Sequence, residues 1–375
     1  MNTQNSSRFL RSLSLATTAL VLAPSAFALE QITRPFQTTR TMSMGGTKIT
    51  TGLYDENFYG NPARAIANPK WKLQILDIYA QANKSTFNTL NSLVGGGGAA
   101  DVVSNLSSTA GEVNHVRLNT SIVNLHLPGE VWAMSFGLQS SIQADVDLRR
   151  SFQIDPLVVA DVGAHATVAR RLLEEKTLAV GATVHGAMRV SSKAGFSLVD
   201  FVQGNSLSPT SSGASGGGVD FDLGATYKLP FQPLGFDLET GATITNVLGG
   251  KMNQFKPSIG NAALDPIPQN RTYGLGVSAR MGELWKFTDF VFAIEASDIG
   301  NNTNGSFWRT IHLGSEAKWG IIGLRAGINQ GYLAGGVAFD LKILQLEAGT
   351  WGEEYSLNPG GYENRVYGVR LGLNI

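Results

Sequence analysis

From Trp71 to Ile375 the chain is a succession of segments in which apolar and polar residues alternate, several of them running well past the length of an ordinary strand. Alternation places successive side chains on opposite faces of a strand. Strands of soluble sheets average roughly five or six residues, whereas a tilted strand needs about nine to eleven to cross a bilayer. In Val131 to Leu148 the residues Trp132, Met134, Phe136, Leu138 and Ile142 share one face. In Thr177 to Val190, Val180, Val184 and Met188 stand opposite Thr183, His185 and Arg189. Further on, Asp220, Asp222, Asp237, Glu239, Asp289, Glu295, His312 and Glu316 each fall on the polar face of such a segment. The series, from Trp71–Asn83 to Arg365–Ile375, predicts an all-β chain of about fourteen antiparallel strands, the even number that bacterial outer-membrane barrels carry.

The connections support the same architecture. Tight turns at Pro128 to Glu130, Pro230 to Gly235, Met281 to Lys286 and Asp340–Leu341 alternate with long connections at Lys84 to Gly111, Ser191 to Gly218 and Val247 to Asn270. Short turns on the inner side of a membrane and long loops on the outer side are the expected asymmetry. Gln330 to Tyr332 is the exception, a short connection on the outer side. Charged residues make up only 15% of the chain and no segment is apolar for long enough to span as a helix, which again suits a barrel, since its two faces alternate and neither reads as a block.

The first residues carry an address. Arg8 and Arg11 precede an apolar run, Leu13 to Ala23, followed by Pro24 and the small-residue pattern Ala26-Phe27-Ala28. This order is that of a secretory signal, so residues 1–28 are predicted to be removed. The absence of cysteine fits an oxidising compartment, and a net charge of +0 gives no footprint for nucleic acid.

Between signal and barrel lies a stretch, Arg40 to Pro69, that is neither clean strand nor clean helix. Gly45-Gly46, Gly52 and Gly60 interrupt it, and Asn61-Pro62 and Asn68-Pro69 turn the preceding residue from α geometry. Residues 29–70 are therefore set apart from the barrel of residues 71–375.

The search for catalytic chemistry returns little. Gly213-Ala214-Ser215-Gly216-Gly217 matches the nucleophile-elbow pattern but stands in a Ser/Gly-rich loop without strand-to-helix context. Gly274 to Ala279 loosely matches a dinucleotide fingerprint inside a strand. His115, His126, His165, His185 and His312 show no metal spacing. The inward carboxylates are expected to line a solvated, charged lumen. No catalytic residue, metal or cofactor is assigned, and the chain is not expected to be an enzyme.

Met42-Ser43-Met44-Gly45-Gly46, the acidic pair Asp55-Glu56 and Gly60-Asn61-Pro62-Ala63 resemble the amino-terminal pattern of FadL-type outer-membrane transporters of hydrophobic compounds and their PorV-like relatives. Arg325 to Tyr332, Glu353-Glu354-Tyr355 and Pro359-Gly360 are similar to stretches near the end of PorV-like barrels. The resemblance implies a fourteen-stranded barrel of a Gram-negative outer membrane whose amino-terminal segment, residues 29–70, folds inside as a hatch. Its turn would be Asn61, Pro62 and Ala63, with Gly45 and Gly46 beside it and Phe36, Met42 and Met44 as packing residues. The chain departs from the commoner wording by having Gly60 before the Asn and Arg64 after the Ala. Apolar side chains in the long connections, Phe87, Leu90 and Leu93 in the first and Phe196, Leu198 and Phe201 in the Ser191 to Gly218 stretch, could form a landing site for a hydrophobic molecule; the other reading is that they only pack loops over the mouth. Two functions follow: passive uptake of hydrophobic compounds such as long-chain fatty acids, or an adapter or shuttle for secreted proteins. Membrane lipids and a hydrophobic small molecule are the expected partners.

Overall fold

The structure, a computed structural model, describes residues 36–88, 111–148, 153–172, 175, 177–193, 195–197, 213–255, 265–300, 306–356 and 358–375. Residues 1–28, expected from the sequence to be a secretory signal, lie outside them. Fourteen long strands form the wall: β1 Lys72–Asn83, β2 Val113–Leu127, β3 Trp132–Leu148, β4 Gln153–Leu172, β5 Leu178–Ser192, β6 Gly213–Lys228, β7 Asp237–Thr245, β8 Thr272–Leu284, β9 Phe287–Ile299, β10 Ile311–Trp319, β11 Ile322–Asn329, β12 Tyr332–Leu341, β13 Leu344–Glu354 and β14 Glu363–Asn374. Each pairs antiparallel with the next, and β1 pairs with β14 in the register Asp77↔Gly372 and Tyr79↔Arg370, so the sheet closes on itself. Closure leaves no sheet edge to satisfy, the condition for a strand structure in lipid.

The alternation read from sequence becomes the inside and outside of this wall. On β3, Trp132, Met134, Phe136, Leu138 and Ile142 are all exposed on the outer surface, while Ser135, Gln139, Gln143 and Asp145, on the alternate positions, are buried. Val180, Val184, Met188 and Val190 of β5 behave likewise around Thr183 and Arg189. The apolar faces therefore meet lipid and the polar faces meet the interior.

The turns follow from local chemistry. Trp319↔Ile322, Asn329↔Tyr332 and Leu341↔Leu344 close two-residue hairpins. At Gln330-Gly331 both residues have positive φ, 53° and 95°, the conformation a tight hairpin requires and one that glycine adopts at no steric cost. The strands extend further than the sequence suggests. Lys342-Ile343 is the turn where Asp340–Leu341 was expected, and Trp285-Lys286 narrows the expected Met281 to Lys286. Trp308 to Thr310 belongs to a 3-10 turn, Phe307–Thr310, ahead of β10.

A larger correction concerns Gly213 to Gly218. These residues are strand, paired with β5 from Ser192↔Gly213 to Ala187↔Gly218, not loop. The GxSxG pattern thus lies within β6, again without a strand-to-helix turn. Glycine has no side chain to alternate, so the pairing left no mark in the sequence. At this end β6 is paired on its other side with the two-residue strand Asn253–Gln254, because β7 covers only Leu223 to Lys228.

Candidate functional site

Residues 36–68 do not join the wall; they lie inside it. A short helix, α1 Thr39–Ser43, a single turn, α2 Glu56–Tyr59, and a 3-10 turn, Pro62–Ala67, are its regular parts. Helices this short are not stable by themselves, and local capping contributes: Thr38 accepts from the Thr41 N–H at 3.0 Å, and Asn61 Oδ1 from the Ala63 N–H at 3.0 Å. The wall supplies the rest.

Its contacts run around the barrel. Glu295 of β9 accepts backbone N–H bonds from Lys48, Ile49 and Thr50 at 2.6, 2.8 and 2.8 Å and the Thr50 hydroxyl at 3.0 Å. Arg40 donates to Glu316 of β10 and to Glu56 of its own segment, both at 2.6 Å. Glu316 also takes Arg325 at 2.7 Å, which reaches Glu347 at 2.9 Å, and Arg370 bridges Glu347 and Asp77 at 3.1 and 2.8 Å. Arg64 donates to both oxygens of Glu239 on β7 at 2.9 Å. Asn119 of β2 donates to the Gln37 carbonyl, Tyr79 of β1 to Asp55, and His312 Nδ1 to the Gly45 carbonyl at 2.7 Å.

These pairs overturn the expectation of solvated inward charges. Glu239, Glu295 and Glu316 are 3%, 1% and 6% exposed. A buried charge is tolerated only when paired and hydrogen-bonded, and here the inner segment provides the partners. Asp220 and Asp222 are buried too, because they hold the connection after β7: Asp220 accepts from Leu248 and Gly250 N–H groups, Asp222 from Asn246. Asp237 and Asp289 alone of this set stand exposed. Burial works against the charge of Arg40, but Glu316 and Glu56 outweigh it and hold the guanidinium above its ordinary range. Burial, then Asp161 and Asp222, push the Tyr59 phenol well up, and its hydroxyl shares a hydrogen bond with His165 Nε2 at 2.8 Å.

The residues singled out from sequence fall into two groups. Asn61, Pro62, Ala63, Gly45 and Gly46 come to the wall together with their segment. Asn61 Nδ2 ties Ile49 O at 2.9 Å to Ala225 O of β6 at 3.1 Å. Pro62 opens the 3-10 turn, where its missing N–H costs nothing. Ala63 packs with Ala65, Ile66, Ala133, Ala169 and Ala179. Gly45 and Gly46 have φ of 67° and 91°. Phe36, Met42 and Met44 are all buried. In the second group, Phe87 is 48% exposed just after β1, and the backbone of Phe196 pairs with Ile154 in a two-residue strand. Leu90, Leu93, Leu198 and Phe201 lie outside the described residues.

What the sequence reading missed is a set of inward glycines. A Cβ on Gly224 would sit 2.0 Å from Asn61 Oδ1, one on Gly181 2.5 Å from Ala63 N, one on Gly327 2.5 Å from Gly45 N, and one on Gly349 2.0 Å from Ser43 Oγ. The wall is stripped of side chains where the segment passes closest. Inward-facing glycine in mid-strand marks close backbone approach and could have been read as such.

A closed fourteen-stranded barrel with apolar exterior and a segment in its lumen defines a membrane β-barrel class. Comparison of the structure with solved ones places it more narrowly. The toluene transporter TbuX of Ralstonia pickettii superposes with a TM-score of 0.51 at 12% identity, covering 90% of this chain and 97% of that one. The toluene transporter TodX of Pseudomonas putida gives 0.46 at 13% over 92% and 99%, and the monoaromatic hydrocarbon channel CymD 0.48 at 12% over 90% and 96%. The fold is that of the FadL-type outer-membrane transporters. No protein-family model and no curated protein matches the chain.

The Glu295 cradle gives a first expected result. Glu295→Ala leaves three N–H groups without an acceptor, a loss of roughly 3 kcal/mol, about a hundredfold at 1.4 kcal/mol per decade. Hydrogen exchange at Lys48, Ile49 and Thr50 is expected to accelerate by that order while exchange in β1–β14 stays unchanged. Equal protection in the variant would show that the cradle does not hold the segment.

Proposed function

We propose that the protein is a channel of a Gram-negative outer membrane for passive uptake of hydrophobic compounds, with residues 29–70 as its hatch. The observation that carries the reading is the way residues 36–68 are held. A plug packed as an apolar core would be part of the wall. This one rests largely on hydrogen bonds and ion pairs to Glu239, Glu295 and Glu316, contacts that a local rearrangement can break and re-form. The fold likeness to TbuX supports the reading, since that protein's description is a toluene transporter. The exposed Phe87 at the long-connection end supports capture of cargo before the hatch, with Leu90, Leu93, Phe196, Leu198 and Phe201 proposed as its companions. Transport along this path uses no chemistry and no cofactor.

The test is flux into proteoliposomes holding the full chain. Toluene and a long-chain fatty acid are compared as cargo, with a variant lacking Asn61 to Ala63 beside the intact protein. Faster entry of one cargo than into protein-free vesicles, altered by the deletion, is expected. Absence of flux together with a stoichiometric protein partner recovered from the native membrane would contradict this reading and favour the secretion adapter.

A further inference from the structure

Near the tight-turn end of the wall an arginine stands among the lipid-facing rows. Arg170 of β4 is exposed and pairs across the strands with Trp132 of β3, which is 50% exposed. Its guanidinium lies over the indole, 4.8 Å from the ring centroid. The quadrupole of the ring holds a cation in that place without using its N–H donors. Among the described residues no hydrogen bond or ion pair engages this guanidinium. Its neighbour Arg171 is engaged, donating to the carbonyls of Glu130 at 3.0 Å and of Ile66 at 3.3 Å. The other cation–ring pairs of the described residues stand elsewhere: Lys72 lies over Tyr54 of the inner segment, Arg370 over the buried Tyr79, and Lys286 over Trp285 in the turn between β8 and β9.

The wall next to Arg170 has a shape of its own. Past Val168, the outward rows continue in register as Phe136↔Ala166 and Leu138↔Ala164, with Val184 opposite Ala166 on β5. The outward side chains of β4 are here single methyl groups between larger ones, so a shallow apolar groove runs along the strand away from the guanidinium. Six residues separate Arg170 from Ala164, about 20 Å of strand at roughly 3.3 Å per residue. Tilted by about 45°, that length descends about 14 Å, close to half of the roughly 30 Å hydrocarbon core. The groove therefore has the depth of one leaflet.

We propose that this face binds one anionic glycerophospholipid of the surrounding bilayer, its phosphate accepting from Arg170 and one acyl chain lying along Ala166 and Ala164. The occupant follows from the chemistry of the two parts. A guanidinium with free donors at the edge of the hydrocarbon matches the oxygens of a phosphate. The groove is continuous with the lipid-facing surface, where a polypeptide would leave backbone polar groups unsatisfied in hydrocarbon and an acyl chain leaves none. An anionic head group is favoured over a zwitterionic one, because a choline ammonium brings a second cation towards Arg170. The site depends on the outer surface facing lipid and not on any cargo, so it stands apart from the uptake reading.

The test is native mass spectrometry of the full chain in detergent, titrated with phosphatidylglycerol, with phosphatidylcholine of the same chains, and with glycerol 3-phosphate as a head group without a chain. Phosphatidylglycerol is expected to bind about fivefold tighter than phosphatidylcholine, the worth of one basic residue at an anionic surface, and glycerol 3-phosphate not to bind in that range. In Arg170→Gln the preference is expected to fall below about twofold. Lys228→Gln removes an exposed charge at the same end, two strands away on β6, and is expected to leave the preference unchanged. Ala166→Phe fills the groove and is expected to weaken both lipids severalfold while keeping their ratio. Arg170 and Ala166 both face outward, heat-modifiable migration reports an intact barrel, and either variant carries the test if the other does not assemble. Equal binding of the two lipids, a preference that survives Arg170→Gln, or an equal fall in Lys228→Gln overturns the head-group contact. Glycerol 3-phosphate binding as tightly as phosphatidylglycerol, or lipid binding untouched by Ala166→Phe, overturns the groove and the lipid site with it.

Discussion

Arg40→Ala is expected to free the inner segment from the wall. The guanidinium links α1 to the charge ladder of β10, β11, β13 and β14, and its removal strips Glu316 and Glu56 of a shared partner. Breaking a buried pair from one side costs about 3–5 kcal/mol where the remaining charge stays buried and uncompensated; Glu56 is left in that position, while Glu316 keeps Arg325 at 2.7 Å. The barrel has its own ladder of bonds and is expected to keep its migration on gels, while protease cleavage within residues 36–68 rises by two orders of magnitude or more, at about 1.4 kcal/mol per decade. Arg40→Lys keeps the charge but loses the planar fork and is expected to fall between. Arg40→Leu combined with Glu316→Leu is expected to recover part of the loss, as replacing both members of a buried pair with apolar residues often does. Cleavage no faster in Arg40→Ala than in the wild type would mean that the clamp is not what holds the segment.

The second large effect comes from the opposite wall. Gly224→Val places a side chain where Asn61 Oδ1 and the Pro62 ring now lie, at 2.0 and 2.9 Å from the new Cβ. Neither neighbour is the end of a flexible side chain, since Asn61 is held at Ile49, Ala63 and Ala225. Overpacking costs about 1–3 kcal/mol, and here the three Asn61 bonds go with it. The Asn61 end of the segment is expected to leave the wall, with flux of toluene into proteoliposomes changed severalfold. Gly282→Val is the control. It lies in β8 with nothing within 4 Å of a new Cβ, and is expected to be neutral within about 0.5 kcal/mol. Similar behaviour of the two variants would remove the steric argument.

Much of this arrangement can be traced back to the sequence. The wall was legible because lipid and interior impose opposite demands on neighbouring residues, as in Trp132 to Ile142, and because two-residue turns leave glycine where φ is positive, as at Gly331. Glu239, Glu295 and Glu316 were legible as inward. Their role was not, because their partners Arg64, Lys48 to Thr50 and Arg40 lie 175, about 246 and 276 residues away, and periodicity carries no information about pairing at that range. The reading of a wet lumen followed from treating the wall alone. Burial of the same carboxylates follows once the segment is placed against them. Gly213 to Gly218 was misread as loop for a related reason: a strand without side chains has no alternation to detect. The tight passages at Gly181, Gly224, Gly327 and Gly349 left the clearest unread trace, glycine on the inward parity of four strands.

The central claim is that cargo passes only when the inner segment shifts. Ser43 of α1 and Gly349 of β13 are placed to test it, since a Cβ on Gly349 would lie 3.3 Å from the Cβ of Ser43, close to the roughly 3.5–4.5 Å of a disulfide. The chain has no cysteine of its own, so Ser43→Cys with Gly349→Cys reports on this contact alone. Toluene flux through the double variant is to be measured oxidised and after reduction. The account predicts loss of flux in the oxidised form and its return on reduction; unchanged flux with the bond fully formed would contradict it.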